Sequence, residues 1–184
     1  ADTLAVFTMQ FQIYNHPKVH SLPLGIYSWQ KAEALMHELD RTDDNRTQLL
    51  MVNSKPFGHR KQLIDSVVQK FNGTVSNTFN HLHSAASEYW KEMRQSKFIL
   101  SPGGLGFDCY RHWEALLMGT IPVLEHLNRT DGWFRTFDDL PVAWIDTYDN
   151  LTPEWLEKEY RRIIKNGQSY NYNKLTKQWW FDFI

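Results

Sequence analysis

The chain has 184 residues, 42% hydrophobic and 15% aromatic, and a formal net charge of −1 from 20 basic and 21 acidic side chains. That length suits one domain, or one with a small appendage, and is enough to bury an adequate core. The balanced charge offers no broad basic field and argues against nucleic acid as a partner; no apolar run reaches membrane-spanning length, no basic leader opens the chain, and a first residue other than Met places the natural start elsewhere.

Leu4 to Phe11 is an apolar run of strand character, followed by Pro17 to Gly25, an extended crossing segment with two proline breaks. Ser28 can cap a helix from Trp29 to Leu39, and Arg41 to Arg46 reads as a charged, solvated turn. Residues 1–47 therefore form a crossing segment and helix, and residues 48–184 a domain of regular alternation. A strand at Leu49 to Asn53 runs through Ser54-Lys55-Pro56-Phe57-Gly58 into a helix from His59 to Phe71, with Leu63, Val67 and Phe71 on one face. A second strand is expected at Thr74 to Asn77, then a helix at Ala85 to Gln95 and a buried strand at Phe98 to Leu100. Ser101-Pro102-Gly103-Gly104-Leu105-Gly106 interrupts regular structure, a helix follows at Cys109 to Met118, Gly119 stops it, and Ile121 to Leu124 resumes as a strand. A short turn at Trp133 to Phe137 leads to a strand at Val142 to Ile145. Thr152 caps a helix opened by Pro153 and running to Lys165; a last aromatic helix spans Lys174 to Phe183 and either closes the sheet or crosses back to another lobe. The alternation predicts an α/β fold: a Rossmann-like parallel sheet of about five strands, helices on both faces, and ligands at the carboxyl edge.

Two constellations meet at that edge. The glycines at 103, 104 and 106 let backbone N–H groups approach a ligand, and the helix that follows points its positive end toward the same space. Arg111 and Glu114, three apart, share a helix face. They form either a surface ion pair or, given their place in the first turn after the loop, a guanidinium for phosphate oxygens and a carboxylate for ribose hydroxyls. The second constellation is Lys55, His59, Arg60 and Lys61, which gathers positive charge at a helix start that the dipole disfavours; an anionic partner resolves the conflict.

The segment SKFILSPGGLGFDCYRHWEALLMGTIPVL resembles the signature of exostosin-type glycosyltransferases: an aromatic-aliphatic strand at Phe98 to Leu100, a Pro/Gly loop, Arg111 with Glu114-Ala115-Leu116, and Gly119 with Pro122-Val123. The resemblance implies the donor-binding C-terminal half of a two-domain GT-B enzyme, an acceptor lobe outside this chain, and transfer of a sugar from a nucleotide-sugar donor, a UDP-sugar, to a glycan or glycoprotein. It implies that Glu114 binds the donor ribose and Arg111 a phosphate, and that Arg60, ahead of Lys61 and Lys55, contacts the diphosphate. The alternative is a non-catalytic nucleotide-sugar-binding or structural module of a larger glycoprotein assembly. No residue takes the role of catalytic base, which in the resembling family tends to come from the acceptor lobe.

The remaining signals concern cofactor and compartment. His81-x-His83 lacks ordinary ligand spacing and Asp108 is not part of an Asp-x-Asp pair, so no metal site is expected and the donor site reads as metal-independent. The single cysteine, Cys109, excludes an internal disulfide and reads as a small packing residue, since no histidine-base arrangement is evident. Most of the eight tryptophans are assigned to the core. Asn-x-Thr sequons at Asn45, Asn72, Asn128 and Asn150 favour a secretory lumen, with the Golgi as the expected compartment and N-glycosylation as the expected modification.

Overall fold

In the computed structural model, which describes residues 5–9, 16–26, 35–39, 45–72, 74–75, 77–79, 86–126 and 132–183, four parallel strands form the main sheet. They are β3 (Gln48–Val52), β4 (Ser96–Leu100), β5 (Ile121–Glu125) and β6 (Ala143–Ile145), hydrogen-bonded in that order. Each is a short apolar run, as strands covered on both faces must be. Alternation divides them. Leu50, Val52, Phe98, Leu100, Val123 and Ile145 pack with Ile64 and Val67 of α1 (His59–Lys70) and with Leu156 and Ile163 of α4 (Pro153–Lys165). Met51 and Ile99 point the other way, against Trp90 and Met93 of α2 (Ala86–Arg94) and Ala115 of α3 (Tyr110–Leu117).

The fifth strand expected at Thr74 to Asn77 is reduced to one parallel bridge between Val52 and Asn77. Val52 already pairs with Leu100 of β4, so Asn77 lies on the far side of β3. The chain thus leaves β3 in one direction, with α1 on one face, and reaches β4 in the other, with α2 on the opposite face. That reversal is a topological switch point, and the carboxyl ends of β3 and β4 flank it.

Caps follow the residues that suggested them. Pro153 opens α4 and the Thr152 hydroxyl accepts the Trp155 N–H at 3.2 Å. Gly119 follows α3 with φ +68°, where a side chain would be strained and a Cβ would lie 2.8 Å from an Arg46 guanidinium nitrogen.

Outside the sheet, β1 (Val6–Thr8) and β2 (Val19–Ser21) pair in parallel, so part of the crossing segment is a strand. Of the helix expected at 29–39, residues 35–39 are helical and 29–34 lie outside the described residues. One expectation is corrected: Arg46 is not a solvated turn residue. Its guanidinium donates to the Ser96 carbonyl at 2.8 Å, the Thr120 hydroxyl at 3.0 Å and the Met118 carbonyl at 2.9 Å, tying the amino ends of β4 and β5. The last helix, α5 (Lys177–Phe183), is shorter than expected because Tyr172–Leu175 forms a 3-10 turn ahead of it. Trp180 packs on the aromatic cluster around Trp113, and Phe183 meets His20 of β2 edge-on at 5.5 Å, so the helix joins that cluster to the β1–β2 pair.

Candidate functional site

A cleft of about 260 Å³ opens at the carboxyl edge of the sheet, at the switch point. One wall is the loop from Ser101 to Phe107, the second is His59 and Leu63 of α1, and the third is Leu124, Glu125 and Tyr148 at the ends of β5 and β6; His112 and Trp133 also line it.

The loop has its shape from a close approach rather than from unusual dihedrals. A Cβ on Gly103 would stand 3.0 Å from the Gly106 carbonyl, whereas none of the three loop glycines has a positive φ. The Gly104 N–H donates to the Gly106 carbonyl at 2.8 Å. The amides of Gly103, Leu105 and Gly106 have no acceptor among the described residues. Leu105 is fully exposed at the tip, and Phe107 stacks on Trp133 with centroids 5.7 Å apart and planes 6° apart.

Below the loop sits a charged clasp that the sequence did not reveal. Asp108 is buried, and its partners include the Leu24 N–H at 2.9 Å, the Trp113 indole N–H at 2.9 Å, and His112 Nδ1 at 3.4 Å. The other ring nitrogen of His112 lies 3.1 Å from the Ser101 carbonyl. Nε2 donates to that carbonyl, while Nδ1 faces both the Asp108 carboxylate, which favours an imidazolium, and the Cys109 N–H at 3.3 Å, which favours the neutral ring. Burial opposes the imidazolium charge, but the Cys109 thiolate and Asp108 outweigh it and raise the His112 pKa to about 9. Reciprocally, burial disfavours the Cys109 thiolate and His112 overrides it, bringing the thiol down to about 7. Cys109 therefore does have a histidine partner, three residues on and one helical turn away, correcting its reading as an inert packing residue.

Arg111 and Glu114 do not line this cleft. Glu114 is buried between α2 and α3, where it accepts the Tyr89 hydroxyl at 2.8 Å; burial, then the charge of Glu114, pushes that phenol well above its ordinary pKa. Arg111 is half-buried in the first turn of α3 and forms no ion pair with Glu114. The two-faced helix expected from the sequence is buried nearly all round, from His112 to Leu116.

Of the basic group, His59 reaches the cleft. Lys55 is exposed, Arg60 half-buried, and Lys61 pairs with Asp65 at 2.9 Å on the helix surface. None of these three lines the cleft. Sequence reasoning missed Glu125, Tyr148 and Trp133. Glu125 ends β5, and its Oε1 accepts the Tyr148 N–H at 3.3 Å, while the Tyr148 hydroxyl donates to the Val123 carbonyl at 3.3 Å. Trp133 is 3% exposed and its indole N–H has no partner among the described residues.

Asn45, Asn72 and Asn150 are exposed; Asn128 and the His81-x-His83 pair lie outside the described residues. Among the described residues no helix is long and apolar enough to cross a membrane.

The family model of the RXYLT1 C-terminal domain matches residues 61–183, well over half of the chain. Comparison with curated proteins gives no match.

Proposed function

The chain belongs to the RXYLT1 C-terminal domain family, an exostosin-related glycosyltransferase domain, and we propose from this that it binds a nucleotide-sugar donor and transfers the sugar to a glycan or glycoprotein hydroxyl. The observation that carries the reading is the cleft at the switch point, walled by the glycine loop on one side and the start of α1 on the other. A departing diphosphate needs its growing negative charge stabilised. The loop amides of Gly103, Leu105 and Gly106 and the amino end of α3 supply dipoles for it. Arg111 and Arg60, in the first turns of α3 and α1, supply cations from the two flanks, with Lys55 and Lys61 as weaker contributors; Glu114, buried against Tyr89 and outside the cleft, holds α2 to α3 rather than meeting the ribose in this reading. A metal ion is not needed for that electrostatic work, and UDP is the nucleotide we assign.

An acceptor lobe completes the enzyme in this reading and brings the base that takes the acceptor proton. Phe57 and Leu105 are exposed apolar side chains in the loops after β3 and β4, where such a lobe would close. The exposed sequons at Asn45, Asn72 and Asn150 fit residence in the secretory pathway, with the Golgi lumen as the compartment.

The test is a titration of the chain with nucleoside diphosphates and nucleotide sugars, followed by assays for sugar transfer and hydrolysis. Binding of a uridine nucleotide, weakened about tenfold or more in Arg111→Ala and Arg60→Ala, supports the assignment; loss of a charge-assisted contact has that size. Binding without turnover identifies a donor module that requires its second lobe. No binding of any nucleotide rejects the donor site.

A further inference from the structure

We propose that Glu125 is the residue through which the cleft recognises hydroxyl groups of the donor, an inference that rests on the donor-site reading above. Its mount is rigid. Glu125 is the last residue of β5, in register with Ile145 of β6, and one carboxylate oxygen is fixed by the Tyr148 N–H at 3.3 Å. Tyr148 is itself held by its bond to the Val123 carbonyl and is buried; burial, then the charge of Glu125, keeps its phenol protonated. The second oxygen, Oε2, has no hydrogen-bond partner among the described residues, and the side chain is half-buried along the cleft.

A carboxylate in that position selects its neighbour. It repels a phosphate, so the diphosphate belongs elsewhere along the cleft, beside the glycine loop. It accepts from O–H and N–H groups, and charge-assisted bonds of that kind are the strong ones. In a nucleotide sugar the neutral parts rich in such donors are the ribose and the transferred sugar. Trp133 and Phe107, which also line the cleft and stack on one another, add an aromatic surface for such a ring.

Glu125→Gln separates this role from a structural one, because the amide oxygen can still accept the Tyr148 N–H while the remaining group becomes a neutral donor. The wild-type chain and the variant are titrated with UDP, UDP-glucose, UDP-N-acetylglucosamine and inorganic pyrophosphate, and urea unfolding is followed for both. The expected result is an unchanged unfolding midpoint and an affinity about ten- to hundredfold weaker for the hydroxyl-bearing ligands, with none of that loss for pyrophosphate. Weakening of UDP and its sugar esters alike assigns Glu125 to the ribose; weakening of the esters alone assigns it to the transferred sugar. Unaltered affinity in a chain that binds UDP overturns this inference and leaves the donor site standing, as does an equal loss for pyrophosphate. A wild-type chain that takes none of the four ligands removes both. Should Glu125→Gln unfold, Glu125→Asp, which retains the charge but withdraws it by one methylene, is read by the same criteria.

Discussion

The two ends of the main sheet are built from the same four strands and treat their polar groups in opposite ways. At the amino end, Arg46 ties three groups from β4, α3 and the start of β5, and the Thr120 hydroxyl it contacts donates onward to the Met93 carbonyl at 2.5 Å. The Ser96 hydroxyl closes on the Glu92 carbonyl at 2.8 Å. At the carboxyl end the cleft leaves Glu125 Oε2, three loop amides and the Trp133 indole N–H without acceptors or donors among the described residues. Unsatisfied polar groups are costly to bury, so a fold tolerates them where a ligand or water can reach them. The closed end is where stability is held; the open end is where binding is held.

Asp108 is the residue that can break this division, because it lies at the open end yet is fully engaged. Asp108→Ala removes the acceptor of two N–H donors and the counter-charge of a buried imidazolium. Breaking a buried pair on one side costs about 3–5 kcal/mol. Urea unfolding should show a loss of that order, together with weaker nucleotide binding because the glycine loop is anchored through Asp108 to Leu24. A stable variant with normal binding would show that the clasp supports neither property.

Arg46→Ala sharpens the comparison. It deprives the Ser96 and Met118 carbonyls of a charged donor, and hydrogen bonds to charged groups contribute about 1.5–3 kcal/mol each, not additively. A destabilisation of about 2–3 kcal/mol with nucleotide affinity unchanged is expected; a parallel loss of affinity would mean that the two ends communicate.

The same contrast explains what could be read from the residues. Apolar runs, glycine and proline breaks and the Thr152-Pro153 cap are local signals, and they located β3 to β6, α1, α3 and α4 within a residue or two. Arg46 carries no local signal for this role: the three described groups it binds are 50 to 74 residues away, and in sequence it is one more charge in a polar run. Glycines after a strand, within an alternating pattern of strands and helices, pointed to the carboxyl edge, where the cleft lies. They could not name its lining. Glu125 follows an apolar strand as any solvent-facing glutamate might, and its place beside Tyr148 depends on the register between β5 and β6. Glu114 has a face of its own in a helical projection, but α2 covers that face through Tyr89, a contact 25 residues distant.

Cys109→Ser tests the smallest difference between the two ends, their response to pH. In the wild type, as pH rises from about 6.5 toward 9, the unfolded chain loses the histidine proton that folded His112 retains, so this group makes stability fall. Cys109 acts in the opposite sense. Folded, it has released its proton from about pH 7, while the unfolded thiol holds its own to about 9, so stability rises over that interval. The two slopes oppose one another between pH 7 and 9 and leave the profile nearly level. Serine removes the rising limb and also the thiolate, the largest influence favouring the imidazolium, so His112 titrates lower, with Asp108 left to oppose burial. Relative to the wild type, the variant should lose stability as pH climbs above about 6.5, with a slope no steeper than about 1.4 kcal/mol per pH unit. Urea midpoints at pH 6, 7, 8 and 9 measure the difference. Arg46→Ala, by contrast, lowers the whole profile without tilting it; a tilt there, or a level difference in Cys109→Ser, would mean that the clasp under the loop is not the pH-sensitive element of the fold.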